Sequence, residues 1–171
     1  MEYIFQPAAP QELEAVFHLY EQRVSWMNEK GPHQWNDTDY LNAYPISYYR
    51  EHQEAGSLYV LKRSADGAVV GAVVLLTGDE RWADAETVPA YYTHNLVTVP
   101  NLPGAGKAIL AEIDRFARQN GKASLRLDCS VDSAFLNAYY ESQGYRLCGQ
   151  CQDGPYYGNR REKRLPGDGS C

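Results

Sequence analysis

The stretch that decides the fold is Tyr91-Tyr92-Thr93-His94-Asn95-Leu96-Val97-Thr98-Val99, followed by Pro100-Asn101-Leu102-Pro103-Gly104-Ala105-Gly106-Lys107-Ala108-Ile109-Leu110. Its first nine residues are rich in aromatic and β-branched side chains and predict a strand. Ile109, Leu110, Ile113, Phe116 and Ala117 then recur at helical spacing, and Gly121 marks the end of that helix. Leu125–Cys129 predicts a second strand. A strand–helix–strand unit over 91–129 implies two parallel strands joined by a right-handed crossover. Between strand and helix, Gly104-x-Gly106 lets a ligand approach the backbone while the first N–H groups of the helix point outward. Such a turn suits a pyrophosphate, although a plain strand-to-helix turn would look the same. It is neither a dinucleotide fingerprint, which needs Gly at 109 where Ile stands, nor a Walker loop, which needs Gly at 101 where Asn stands.

Working outward, Glu2–Gln6 is a short first strand and Pro10 opens a helix. Leu13, Val16, Phe17, Tyr20, Val24 and Met27 lie on one face of that helix, which should stop before Gly31-Pro32. A looser helical stretch follows over 46–55. Ser57–Arg63 and Ala68–Thr77 form a hairpin through Ser64-Ala65-Asp66-Gly67. Past the crossover, Ala134–Gln143 is a helix closed by Gly144, and Tyr145–Leu165 a final hairpin. The sum is an α/β fold: a mixed, mostly antiparallel sheet of six or seven strands with flanking helices and a parallel core. One domain over 1–165 and a flexible tail over 166–171 are expected.

Composition narrows the function. The 171 residues are 44% hydrophobic and 22% charged, as in a globular protein, and the net charge of −6 advertises no nucleic-acid surface. No basic segment leads into an apolar run at Met1-Glu2-Tyr3, and Ala68–Leu76 is too short to span a bilayer. A cytoplasmic protein without membrane partners is expected. Cys148-Gly149-Gln150-Cys151 has no second pair for zinc, so no metal is expected, and no Gly-x-Ser-x-Gly supports a hydrolase. Arg160-Arg161-Glu162-Lys163-Arg164 suggests a solvated strand end.

After the second strand of the crossover the chain runs Asp128-Cys129-Ser130-Val131-Asp132-Ser133-Ala134-Phe135-Leu136-Asn137-Ala138-Tyr139-Tyr140-Glu141-Ser142-Gln143-Gly144-Tyr145. Together with Gly104-Ala105-Gly106-Lys107-Ala108-Ile109-Leu110, this resembles the acetyl-CoA core of the GCN5-related N-acetyltransferase (GNAT) family. That family carries Gln/Arg-x-x-Gly-x-Gly/Ala after its fourth strand. After its fifth it carries Asn, then Tyr-Glu seven residues on, then Gly and an aromatic. Asn101 and Ser133 depart from the pattern; Tyr140 and Gly144 match it. The resemblance implies acetyl transfer from acetyl-CoA to a primary amine, small or amino-acid-like, by direct attack on the thioester. It allows a homodimer. The rival function is a catalytically silent acyl-CoA-binding module.

The resemblance also implies site residues. A backbone N–H of Leu96 or Val97 would polarise the thioester carbonyl. Leu96, Val97, Thr98, Val99, Gly104, Ala105, Gly106, Lys107, Ala108 and Ser133 would line the coenzyme, and Tyr140 would protonate the leaving sulfur. A core tyrosine is the alternative reading of Tyr140. Strand alternation places Tyr92, His94 and Leu96 on one face and Tyr91, Thr93, Asn95 and Val97 on the other. His94 is then a candidate base, or a hydrogen-bonded structural histidine. Trp26, Gln34, Trp35 and Tyr92 are expected around the acceptor, where rings could hold a cation, with ordinary ring packing as the alternative.

Overall fold

The computed structural model describes residues 1–31 and 35–167. Among the described residues seven strands and five α-helices follow in the order β1 (Tyr3–Pro7), α1 (Leu13–Lys30), α2 (Tyr40–Ala43), α3 (Ile46–Glu54), β2 (Leu58–Arg63), β3 (Val69–Leu76), β4 (Ala90–Thr98), α4 (Ala105–Gln119), β5 (Ser124–Ser130), α5 (Ala134–Ser142), β6 (Arg146–Asp153) and β7 (Tyr156–Arg164). The strands form one sheet in the order β1-β2-β3-β4-β5-β7-β6. This is the mixed α/β sheet that the periodicities predict. No helix among the described residues is long and apolar enough to cross a membrane.

The chain divides into two compact units. The first comprises Met1–Leu75 and His94–Glu112. In it β1 pairs antiparallel with β2, and β2 with β3. The expected turn is present: Asp66 Oδ1 accepts the Ala68 N–H at 3.1 Å, and Gly67 takes the positive φ the turn requires. Helix α1 begins at Leu13, one short 3-10 turn later than Pro10, and ends where Gly31 turns left-handed and its N–H reaches the Met27 carbonyl. Val16, Leu19 and Tyr20 on α1, Tyr49 on α3, Leu58, Val60 and Leu61 on β2 and residues 70–75 of β3 are buried. Gly71 on β3 is glycine for a steric reason. A Cβ there would stand 3.2 Å from both Ile109 Cδ1 and the Val97 carbonyl oxygen.

The second unit comprises Leu76–Thr93 and the chain from Ile113 onward. The parallel ladder joins Ala90–Tyr92 to Ser124–Arg126, while β4 runs on to Thr98 and β5 to Ser130. β5 pairs antiparallel with β7, and β7 with the exposed edge strand β6. Arg160 and Arg161 are buried, each covered by groups from other elements, Asp84 and Trp82 for Arg160 and Asn137 and the Tyr145 carbonyl for Arg161, which corrects the solvated strand end inferred from their charge. Arg160 forms an ion pair with Asp84 and lies over the Trp82 ring, and Arg126 lies over the same ring.

Strand β4 departs from simple alternation. Asn95 has φ +54°, a left-handed residue inside the strand, as at a β-bulge. Tyr92 and Thr93 are both buried, and the two-residue phase predicted from the sequence does not continue past residue 95.

Candidate active site

In the first unit, the end of β4 presents its backbone in a definite way. The Val99 N–H donates to the Val70 carbonyl at 2.8 Å, and the Val97 carbonyl lies against Gly71. Residues two apart in a strand face the same neighbour, so the Val97 amide faces β3 and the Leu96 amide turns away from it. Leu96 is therefore the donor of the two that is not directed into the β3 ladder. Thr98 is held from α1, its carbonyl accepting from Arg23 Nη2 at 2.6 Å. Burial lowers the Arg23 pKa, and its guanidinium lies 5.2 Å from the Trp26 ring centre.

The turn that follows is built from two left-handed residues, Asn101 at φ +62° and Gly104 at φ +83°. Asparagine tolerates that conformation better than the longer Gln or Arg of the family pattern, a backbone reason for the departure at 101. Beside Gly104, where a Cβ would project, no described atom beyond its own chain neighbours lies within 4 Å. Ala105 donates to the Leu102 carbonyl and Ala108 to that of Gly104. Between them the N–H groups of Gly106 and Lys107 are left with no acceptor among the described residues. A backbone cradle at the start of a fifteen-residue helix fits a pyrophosphate.

Trp26 and Trp35 do not share a pocket wall. Trp26 lines an open groove of about 500 Å³ with Glu21, Glu29 and the segment Val99–Asn101. Trp35 stacks on Tyr40 at 4.3 Å and tilts against Tyr20 at 5.9 Å. Gln34 lies outside the described residues. His94 is half-buried beside His52, whose pKa is lowered by burial and further by His94. His52 is seated by Ser57, 2.8 Å from its Nδ1, and by the edge of Tyr48. Asn95, next in the strand, is gripped by Tyr20, Tyr40 and Tyr48. The sequence points to none of these contacts: Tyr20 reads as a core position of its helix, and Tyr40 and Tyr48 are signalled by the density of tyrosine over residues 40–49 alone.

The second unit holds Tyr140, Ser133 and Tyr92. Tyr140 is buried against Tyr139 and Tyr145. Burial pushes its pKa well up, and Cys129, Tyr139 and Asp128 add to the rise, so the phenol is fully protonated at neutral pH. Among the described residues no group hydrogen-bonds to its hydroxyl. Ser133 caps α5, its Oγ accepting from the Leu136 N–H at 3.3 Å. Asn137, one turn on, donates from Nδ2 to the Ser130 and Ser133 carbonyls, at 2.9 and 2.8 Å. Tyr92 packs in a cluster with Trp82 and Ala90, and its hydroxyl accepts from Arg126 Nη1 at 3.0 Å. Among the described residues no group of three metal-ligating side chains occurs.

The class of protein follows from comparison with known proteins. The acetyltransferase (GNAT) family model matches residues 19–145. An uncharacterized N-acetyltransferase, YesJ, of Bacillus subtilis is 26% identical over 152 residues, covering 84% of this chain and 81% of its own. A GNAT acetyltransferase of Listeria monocytogenes shares the fold with a TM-score of 0.80 at 22% identity, over 96% of both chains. So does the PaiA N-acetyltransferase of Thermoplasma acidophilum, solved with coenzyme A, with a TM-score of 0.72 at 13% identity over 96% of this chain and all of that one. The chain belongs to the GNAT family. It is an acetyltransferase, and its acetyl donor is acetyl-CoA.

Proposed function

We propose that residues 1–165 form the catalytic domain and transfer acetyl to a primary amine that is cationic in solution, a small molecule or an amino-acid-like acceptor. Bound acetyl-CoA supplies an activated acyl group; the rest of the chemistry falls to the chain. The N–H groups of Gly106 and Lys107 hold the pyrophosphate, with Gly104 leaving room for it. The Leu96 N–H donates to the carbonyl oxygen as negative charge gathers there. His94 takes the proton that the amine must lose, since an amine with a pKa of ~10 is almost wholly protonated at pH 7. Tyr140 donates a hydrogen bond to the departing sulfur.

One observation carries this reading: Tyr140 is a buried phenol held protonated and without a hydrogen-bond partner among the described residues. Such a donor is available to a leaving group rather than committed to the fold. The choice of a cationic acceptor is supported by the groove where Trp26 stands with the carboxylates of Glu21 and Glu29. Release of free thiol from acetyl-CoA, followed over a panel of cationic, zwitterionic and anionic amines, tests both. Turnover with the cationic members is expected. Tight acetyl-CoA binding with no turnover on any amine would mark a silent binding module, and preference for the anionic members would refute the acceptor class.

A further inference from the structure

The peptide group between Asn95 and Leu96 is gripped at one end. The wholly buried Tyr20 of α1 donates its hydroxyl to the Asn95 carbonyl oxygen at 2.5 Å. A trans peptide is planar, so its C=O and N–H point in opposite directions. With the oxygen fixed on Tyr20, the Leu96 N–H of the same peptide is aimed away from α1. The Asn95 side chain is fixed as well. Its Oδ1 accepts from the Tyr48 hydroxyl at 2.8 Å, and its Nδ2 donates to the Tyr40 hydroxyl oxygen. Three tyrosines from three helices thus hold one residue in a left-handed conformation that a strand does not favour by itself.

We infer that Tyr20 is a positioning residue for acetyl transfer, acting through the Asn95–Leu96 peptide, with Tyr40 and Tyr48 securing the residue it grips. This rests on the reading of Leu96 as the donor to the thioester carbonyl. Two effects follow from the grip. The N–H is pre-aimed, so no backbone reorganisation accompanies the reaction. A hydrogen bond at the carbonyl also polarises the peptide and makes its N–H a stronger donor. Burial of Tyr20 serves the same end, because a desolvated phenol keeps its proton and remains a donor. Tyr20 is stacked on Tyr49 with ring centres 4.4 Å apart, so its ring is held independently of its hydroxyl.

Tyr20→Phe removes the hydroxyl and leaves the ring. Loss of an oxyanion donor itself costs about 10²- to 10³-fold in kcat, so loss of the group that aims it should cost about 5- to 50-fold. The KM for acetyl-CoA should stay within about twofold, since the pyrophosphate contacts are untouched. The decisive readout is the infrared carbonyl stretch of bound, carbon-13-labelled acetyl-CoA. It should fall in frequency on binding to the parent and fall by less in Tyr20→Phe. If Tyr20→Phe does not fold, Tyr48→Phe carries the same measurement with the same sign. A shift retained in full, with parent kcat, overturns the positioning role alone. A parent that binds acetyl-CoA with no carbonyl shift overturns the Leu96 reading and the inference with it.

Discussion

Arg161 of β7 donates from Nε to Oδ1 of Asn137 at 3.1 Å, joining the strand to the middle of α5. The same oxygen accepts from Asn159, and the Asn137 amide nitrogen donates to the carbonyls of Ser130, the last residue of β5, and Ser133, the cap of α5. Arg161 is 5% exposed, so its charge depends on these protein contacts in place of water.

Replacing Asn137 by Ala would take the shared acceptor from the buried Arg161 Nε–H and from Asn159 Nδ2, while the Ser130 and Ser133 carbonyls keep the backbone N–H groups of Ser133 and Asn137. Unsatisfied buried groups cost ~1–3 kcal/mol each in the worst case, and partial relaxation brings the expected loss to about 2–4 kcal/mol. Urea denaturation of Asn137→Ala measures it. A midpoint equal to that of the parent would show that the hub contributes nothing.

The helix start at residue 105 gives a binding prediction. Gly106→Val adds a branched side chain at the backbone proposed to meet pyrophosphate. Acetyl-CoA affinity should drop by tenfold or more, a change of about 1.4 kcal/mol. Calorimetric titration of the folded variant checks this, and unchanged affinity would reduce the segment to a simple turn.

For Tyr140→Phe the expectation is a fall in kcat of about 10- to 1,000-fold, within and just below the usual range for a general acid. The Kd for acetyl-CoA should hardly move, and neither should the thermal midpoint, because the ring and its neighbours remain. Since burial raises the Tyr140 pKa above the tyrosine reference of ~10, the donor stays protonated through neutral and mildly alkaline pH. No loss of kcat assignable to this group should appear below about pH 10. Parent-like turnover by Tyr140→Phe would remove it from the mechanism.

Stability has its own pH dependence. Tyr20, Tyr49, Tyr140 and Tyr145 all have pKa values raised by burial. Above about pH 10 the unfolded chain releases phenolic protons that the folded chain retains. The native state then binds more protons, and stability falls as pH rises. The stabilising contribution is intact below pH ~10 and drains away through the raised native values. Denaturant midpoints should be flat from pH 7 to about 8, decline gently above about 8.5 as the unfolded chain ionises thiols that burial keeps protonated at Cys129, Cys148 and Cys151, and fall steeply beyond about pH 10, with phenolate absorbance appearing as the protein unfolds. Titration of all fourteen tyrosines near pH 10 in a still-folded protein would contradict it.

Much of the fold was legible because its signals are local. A two-residue period changing to a 3.6-residue one at Gly104 marks the crossover, and Gly31, Gly67 and Gly144 end elements through backbone conformations that side chains resist. The two motif halves, around Gly104–Leu110 and Ser133–Gly144, determined the family by themselves. What the sequence could not show depends on residues far apart in the chain. Asn95 breaks the alternation of β4 because tyrosines 47 to 75 positions away hold it there. The two tryptophans near the end of α1 separate because Trp26 meets Val99–Asn101 while Trp35 meets Tyr40. Arg160 and Arg161 are buried because Asp84 and Asn137 come to them from other elements. Periodicity reports which face of its own segment a residue occupies; which groups meet it there is a long-range outcome that only the packed chain decides.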